Sequence, residues 1–143
     1  PHRAVGLAAY RLGVLHRGLE LTAEYARTRE QFDRPIGSFQ AVSQRLADGY
    51  IDIKGLRLTL VQASWRLSED LPADAEVATA AFWAAEAGHR VAHTAVHGHG
   101  GVGIDMDPPV HRYFITAKQT EFALGGGRAL QRVIGRDLAD TPV

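Results

Sequence analysis

The chain has 143 residues, of which 45% are hydrophobic and 22% charged, a composition typical of one globular domain with its own core. Sixteen basic residues balance sixteen acidic ones, and this neutrality argues against a nucleic-acid-binding surface. The absence of cysteine excludes disulfides and thiolate metal sites. No run of about 18 apolar residues predicts a membrane span, and the first residues do not have the pattern of a signal peptide.

The first predicted helix covers residues 4–29, which lack proline. Its last turn carries cations, which suit a helix C-terminus. Pro35 and Gly37 then break the chain, and Ser38 is the predicted N-cap of the next helix. Apolar spacing predicts the buried stripe of the first helix: Leu7, Val14, Leu15, Leu19 and Thr22.

Four more helices are predicted, over residues 39–69, 73–97, 110–123 and 128–139. Asp74 and Glu76 lie in the first turn of the third helix, where acids are favourable. The predicted stripe of the second helix is Val42, Leu46, Tyr50, Ile53, Leu56, Leu60 and Leu67. The third helix has a stripe of small residues, which would let partner helices approach closely: Val77, Ala81, Ala84, Gly88, Val91 and Ala95.

The connections between these helices are short, which predicts an antiparallel arrangement. No segment alternates with a period of two residues, so strands are improbable. We therefore expect an all-α fold, an up-down four-helix bundle with a short additional C-terminal helix, forming one domain over residues 1–143.

One connection has an unusual set of side chains, running from Arg29 through Phe32, Pro35 and Ile36 to Gln40. It offers a charged fork, a flat apolar face and an amide, which are groups that bind a large anionic aromatic cofactor. The segment resembles the R-x-x-F-G-x-P-I-x-x-F-Q motif of the acyl-CoA dehydrogenases. That family resemblance implies that Arg29, Phe32 and Gln40 contact the FAD of a neighbouring subunit.

Two further motifs resemble the same family, in the same order along the chain. Residues 96–103, with His97 and the glycines at 100, 101 and 103, are similar to its Q-x-x-G-G-x-G turn. Adjacent glycines let the backbone approach a phosphate or ribose closely. Residues 109–114 are similar to the family's P-x-x-R-x-[FYW] entry to the penultimate helix. The resemblance implies cofactor-binding roles for His97, Gly100, Gly101 and Gly126.

The resemblance covers nearly the whole chain but only the C-terminal domain of that family. It implies the FAD-dependent oxidation of an acyl-CoA thioester to its enoyl-CoA, in which a glutamate removes the α-proton. Leu124 or Gly125 occupies the usual position of that glutamate, and the alternative position corresponds to about Arg3. Glu121 is the nearest acid. We expect no catalytic residue in this domain, which alone should be inactive, and the family's arginine–aspartate pair is replaced by Ile115 and Thr116.

These departures resemble the actinobacterial acyl-CoA dehydrogenases that are built from two unlike subunits, some of which act on steroid side chains. The resemblance implies a non-catalytic subunit that completes the FAD site of its partner. The expected assembly is a homo- or hetero-oligomer, either a dimer or an α2β2 tetramer, that acts on an acyl-CoA of fatty acid or steroid side-chain degradation. We expect it in the bacterial cytoplasm, without nucleic-acid or membrane partners. Asp33 replaces a glycine of the motif and would repel a nearby pyrophosphate.

Several alternatives remain open at this point. Arg29 could simply cap the first helix, and Phe32 and Phe39 could only close the end of the bundle. His93 and His97 are four residues apart, a spacing found in metal sites, but no third ligand is evident and we assign no metal. Trp65 and Trp83 are either core or interface aromatics. The alternative function is a non-enzymatic helical dimerisation or interaction module derived from the same fold.

Overall fold

The structure is a computed structural model that describes residues 1–103 and 109–140, without the side chains of residues 102 and 103. The side chain of Val102, within the glycine motif, therefore lies outside the described part of the chain. Five α-helices follow the predicted order and differ from the predicted bounds by at most two residues. They are α1 (His2–Thr28), α2 (Gln40–Ser68), α3 (Asp74–His99), α4 (Pro109–Ala123) and α5 (Gly127–Asp140).

Helix α3 is the centre of the bundle and packs against α1, α2, α4 and α5. Its predicted stripe of small residues is buried throughout, because alanine and glycine let neighbouring helix axes approach. Leu19 of α1 and Leu56 of α2 are fully buried against it, and each contributes roughly 1.5–3 kcal/mol of burial free energy. Helix α5 has no buried residue and lies outside the four-helix core, which confirms the predicted architecture.

The prediction that strands are improbable is wrong for one short segment, residues 30–35. Glu30–Gln31 and Arg34–Pro35 form a two-stranded antiparallel hairpin, β1 and β2. Phe32 and Asp33 form its tip, with left-handed φ values of 54° and 61°. A two-residue turn with positive φ at both positions matches the right-handed twist of a hairpin. The alternation that signals a strand cannot show in strands of two residues.

Two local predictions on α2 are also wrong. Ser38 does not cap the helix, because it lies in a 3-10 turn (Ile36–Ser38) and its hydroxyl donates to the Pro35 carbonyl at 2.7 Å. Phe39 is the N-cap residue, through its extended backbone and without a side-chain bond. Tyr50 was placed in the buried stripe but is 43% exposed, since the core side of α2 is formed by Ile53, Leu56 and Leu60.

Candidate functional site

An open groove of about 710 Å³ lies at the end of the bundle where α1 meets the hairpin and α3 meets the glycine turn. Arg29 follows the last residue of α1, and Gly101 lies in the 3-10 turn Gly100–Gly103 after α3. About 70 residues separate them in the chain, yet both line this groove. Five of the predicted cofactor-binding residues meet there: Arg29, Phe32, His97, Gly100 and Gly101.

Arg29 has two separate roles in the local structure. Its backbone N–H donates to the Tyr25 carbonyl at 2.8 Å, so the residue does end α1. Its carbonyl accepts from the N–H of Ile36 at 2.8 Å and closes the base of the hairpin. These bonds involve only backbone atoms. The exposed guanidinium faces the groove and forms no ion pair with a carboxylate of the described residues.

The hairpin carries the aromatic wall of the groove. Phe32 is 86% exposed, so it does not close the bundle end, and that alternative is wrong for this residue. The centroid of its ring lies 6.1 Å from that of Phe39 in an edge-on arrangement. The Arg34 guanidinium stacks on the Phe39 ring, 3.9 Å from its centroid. Such contacts hold the rings in place. Asp33 is exposed at the hairpin tip and does not line the groove.

The opposite wall combines the end of α1 with the end of α3. The rings of Tyr25 and His99 stack with centroids 4.4 Å apart. The Nδ1–H of His99 donates to the Ala95 carbonyl at 2.8 Å, which fixes the orientation of the ring. Gly100 has a φ of 62°, in the left-handed region that favours glycine. A Cβ on Gly101 would meet nothing within 4 Å, so its backbone is openly accessible.

Sequence reasoning missed several residues of this groove. Tyr25 belongs to none of the three motifs, although it lies four residues before Arg29 and therefore on the same side of α1. Arg45 was not singled out, and it adds a second cation to the groove. Thr22 was predicted only as a buried residue of the core stripe. The helical spacing could have indicated Tyr25, whereas Arg45 becomes recognisable only once α2 is packed.

Two predicted residues do not line the groove. Gln40 is exposed as the first residue of α2, between two residues that do line it. Gly126 lies in the turn between α4 and α5, and the neighbouring Gly127 packs against Glu86 of α3. Glu86 precedes His97 by 11 residues, or about 16 Å along a helix. Roles for Gln40 and Gly126 in cofactor binding remain predictions.

His93 and His97, the two histidines with metal-ligand spacing, lie in different surroundings. His97 lines the groove. The ring of His93 packs against His89 and Phe114, at 4.5 and 5.4 Å between centroids. Burial, followed by the charges of His89 and Lys118, lowers the pKa of His93. Within residues 1–103 and 109–140, no three histidine, aspartate or glutamate side chains gather as metal ligands would.

The two candidate positions for the catalytic carboxylate lie where α4 ends. Leu124 is half-buried and packs against the main hydrophobic cluster. Gly125 is exposed with a φ of 92°. Neither has an ionisable side chain. Arg3, at the alternative position, is exposed in the first turn of α1.

Glu121, the nearest acid, belongs to a cluster of charged side chains between α1, α3 and α4. Its carboxylate accepts from Lys118 Nζ at 2.8 Å and lies 3.3 Å from His89 Nδ1 and 3.7 Å from Arg11 Nη2. Burial on its own would raise the pKa of Glu121, but the bonds and charges of Lys118 and His89 outweigh it and lower this pKa. A carboxylate stabilised in this way is a weak proton acceptor.

Sequence reasoning missed the other members of this cluster, His89, Lys118 and above all Arg11. Arg11 is fully buried, and its Nη1 donates to the Ala117 carbonyl and, at 2.7 Å, to the Thr120 hydroxyl. Burial lowers the pKa of Arg11 to about 10, an effect that Glu121 partly offsets. A lone arginine on a helix is ordinarily assigned to solvent. The helical spacing could have indicated this one, because Arg11 lies four residues after Leu7 and four before Leu15, in phase with the buried stripe of α1.

Comparison with known proteins identifies the family of the chain. A family model described as the acyl-CoA dehydrogenase C-terminal domain matches residues 1–139. This chain belongs to the acyl-CoA dehydrogenase family. The domain is 73% identical to acyl-CoA dehydrogenase FadE27 of Mycobacterium tuberculosis over 142 aligned residues, covering 94% of this chain and 38% of that relative. The resemblance to the actinobacterial type is therefore confirmed.

Two solved structures extend the comparison of this acyl-CoA dehydrogenase domain. The crystal structure of the ChsE4-ChsE5 complex from Mycobacterium tuberculosis is 74% identical, with a TM-score of 0.95, and covers 98% of this chain and 38% of that chain. A variant of the Tcur3481-Tcur3483 steroid ACAD is 44% identical, with a TM-score of 0.92. The match covers 96% of this chain and 38% of that chain. The domain thus spans about 38% of the length of these relatives. None of its described helices combines the length and apolarity needed to cross a bilayer.

Proposed function

We propose that this domain completes the FAD site of a two-subunit acyl-CoA dehydrogenase that oxidises a steroid side-chain acyl-CoA to its enoyl-CoA, and that it supplies no catalytic base. The observation that carries the proposal is the meeting of Arg29, Phe32, His97, Gly100 and Gly101 in one groove. The similarity to a complex of two mycobacterial proteins and to a steroid ACAD supports the two-subunit form and the steroid substrate.

The groove has the donor set that a dinucleotide requires. Arg29 and Arg45 supply two guanidinium groups for a pyrophosphate, which arginine binds through two parallel N–H donors. The apolar rings of Phe32 and Phe39 offer flat surfaces for an aromatic base. Gly100 and Gly101 present backbone without side chains, so phosphate or ribose oxygens can approach closely.

The groove is open along one side, and we propose that the flavin is held mainly by another polypeptide or by further domains. When bound, the flavin would supply the acceptor for the hydride. This domain would bind and orient the nucleotide half through Arg29 and the glycine turn. Leu124 and Gly125 cannot take up a proton, and Glu121 is held ionised by its cations. We propose that the carboxylate for α-proton removal comes from the partner subunit.

The test is FAD retention by the assembled protein carrying Arg29→Ala. Loss of a hydrogen bond between charged groups removes about 1.5–3 kcal/mol, so FAD affinity should fall roughly 10- to 100-fold. Arg27→Ala is the matched control, because Arg27 is exposed on the same helix turn and does not line the groove. The measurement is flavin absorbance after dialysis, followed by titration of the apoprotein with FAD.

Equal FAD affinity for the two variants would contradict a role for the groove in cofactor binding. The interaction-module alternative predicts a colourless homodimer with no dependence on Arg29. Purification of the assembled protein as a yellow complex with an unlike subunit supports the enzyme.

A further inference from the structure

Two histidines line the groove two residues apart, and they differ in the hydrogen bonds that their rings can donate. His97 and His99 both belong to the last turn of α3. A neutral imidazole donates through only one of its two nitrogens, while the other nitrogen carries a lone pair and can only accept. Which nitrogen carries the hydrogen therefore decides what each histidine can offer to a ligand.

The hydrogen of neutral His99 is already used within the protein. A carbonyl oxygen can only accept, so the 2.8 Å contact between His99 Nδ1 and the Ala95 carbonyl places the hydrogen on Nδ1. Stacking on Tyr25, with ring centroids 4.4 Å apart, holds the ring in this orientation. The other nitrogen, Nε2, then carries the lone pair. Neutral His99 can therefore accept a hydrogen bond from a ligand but cannot donate one.

His97 is not restricted in this way. Its side chain is exposed, and the hydrogen bond that ends α3, from the Gly100 N–H, goes to its backbone carbonyl. Either ring nitrogen can carry the hydrogen, so neutral His97 can donate to a phosphate or ribose oxygen, as the amide of a glutamine at this motif position would. His97 and His99 are thus a matched pair, of which only one needs an added proton in order to donate.

The described lining of the groove carries only positive fixed charge. Arg29 at the end of α1 and Arg45 on α2 are its charged residues, and Tyr25 is the other ionisable side chain beside the two histidines. The lining formed by the described residues contains no aspartate or glutamate, because Asp33 lies outside it at the hairpin tip. Two guanidinium groups disfavour a further positive charge on His99, whereas a pyrophosphate beside the ring would favour that charge.

We propose that His99 takes up a proton when the pyrophosphate of FAD enters the groove, so that FAD affinity rises as the pH falls. This inference rests on the proposed role of the groove in FAD binding. The proton comes from solvent and adds to Nε2, which then donates to a phosphate oxygen while Nδ1 keeps its bond to the Ala95 carbonyl. Histidine side chains ordinarily change charge between about pH 5 and 8, where a dinucleotide pyrophosphate stays fully ionised. The proton is therefore taken up by the protein.

A different contact would leave His99 neutral. A ribose or ribityl hydroxyl can donate to the lone pair on Nε2, and binding would then take up no proton at this residue. Proton uptake therefore distinguishes a phosphate oxygen from a hydroxyl as the group that contacts the ring.

The test is titration of the assembled apoprotein with FAD at a series of pH values. The parent should bind FAD about 5- to 10-fold more tightly near pH 6 than near pH 9, the effect of one opposite charge on one imidazole. His99→Phe keeps a ring that can stack on Tyr25 but removes both nitrogens, so this dependence on pH should largely disappear. His97→Gln is the matched control, because it removes the neighbouring histidine and should keep the pH dependence of the parent.

Calorimetry in two buffers of different ionisation enthalpy counts the protons directly. Near neutral pH, the parent and His97→Gln should take up a fraction of one proton for each FAD bound, and His99→Phe should take up correspondingly less. Circular dichroism verifies that the helices of each variant are intact. The value for the parent depends on no variant, so it tests the inference even if a substitution at position 99 disturbs the fold.

FAD binding by the parent without proton uptake, or a pH dependence that His99→Phe retains, would overturn the inference. Loss of the pH dependence in His97→Gln alone would also overturn it, because the proton would then belong to His97. The proposed function fails separately, if Arg29→Ala leaves FAD affinity unchanged at every pH. Weaker binding by Arg29→Ala together with an unchanged pH dependence in His99→Phe would refute only the proton uptake.

Discussion

The guanidinium of Arg11 occupies the space where a Cβ on Gly88 would stand. Arg11 comes from the middle of α1 and Gly88 from the middle of α3, so this packing brings the two helices together at the centre of the bundle. The absence of a side chain at position 88 allows a fully buried arginine to extend towards α4. There it bonds to the Ala117 carbonyl and the Thr120 hydroxyl.

Gly88→Ala should destabilise the fold by about 1–3 kcal/mol, because the new methyl group forces Arg11 out of its position. Thermal and denaturant unfolding measure the change. Gly13→Ala is the matched control, because Gly13 is also a helical glycine but a Cβ at this position would meet no atom within 4 Å. That change should stabilise the chain by up to about 1 kcal/mol through helix propensity. Similar destabilisation by both substitutions would contradict the packing of Arg11 on Gly88.

Glu121→Gln should reduce the loss of stability in acid. The pKa of Glu121 is lowered in the folded chain, so the unfolded chain binds its proton more readily. This carboxylate therefore adds stability above its unfolded pKa of about 4.5, and that contribution is lost as the pH falls through the lower folded value. Denaturant unfolding measured from pH 6 downwards should show a shallower decline for the variant.

Glu30→Gln is the control for this measurement, because Glu30 is exposed on the hairpin and has no ion pair with the described residues. If Glu121→Gln and the parent chain lose stability in parallel between pH 6 and the acid limit, the charged cluster around Glu121 does not stabilise the fold.

Glu121→Gln should also leave turnover of the assembled enzyme nearly unchanged. The proposal places the base on the partner, and the cations around Glu121 make it a poor proton acceptor. Removal of a general base ordinarily costs a factor of about 10²–10⁴ in rate. The measurement is the rate of flavin reduction by a saturating acyl-CoA in a single turnover. A loss of this size would identify Glu121 as the base and refute the non-catalytic assignment.

The larger features of the fold could be predicted because they depend on local periodicity. The small-residue stripe of α3 predicted its burial, and proline and glycine positions predicted where helices begin and end. Ser38 shows the limit of this reasoning: a serine before a helix ordinarily caps it, but here the hydroxyl satisfies the Pro35 carbonyl of the preceding turn. Tyr50 lies at the edge of the apolar stripe, about 90° around α2 from its buried centre, and is therefore 43% exposed.

The sequence by itself determined that Arg29, Phe32 and the glycines at 100 and 101 belong to two motifs of the same family. Only the tertiary structure decided that they line a single groove, and that Tyr25, Arg45 and His99 complete it. It also decided that Arg11 is internal. Helical periodicity is a property of neighbouring residues and can be read from the chain. A groove or a buried charge depends on which distant segments pack together, and that follows from the summed packing of all the helices.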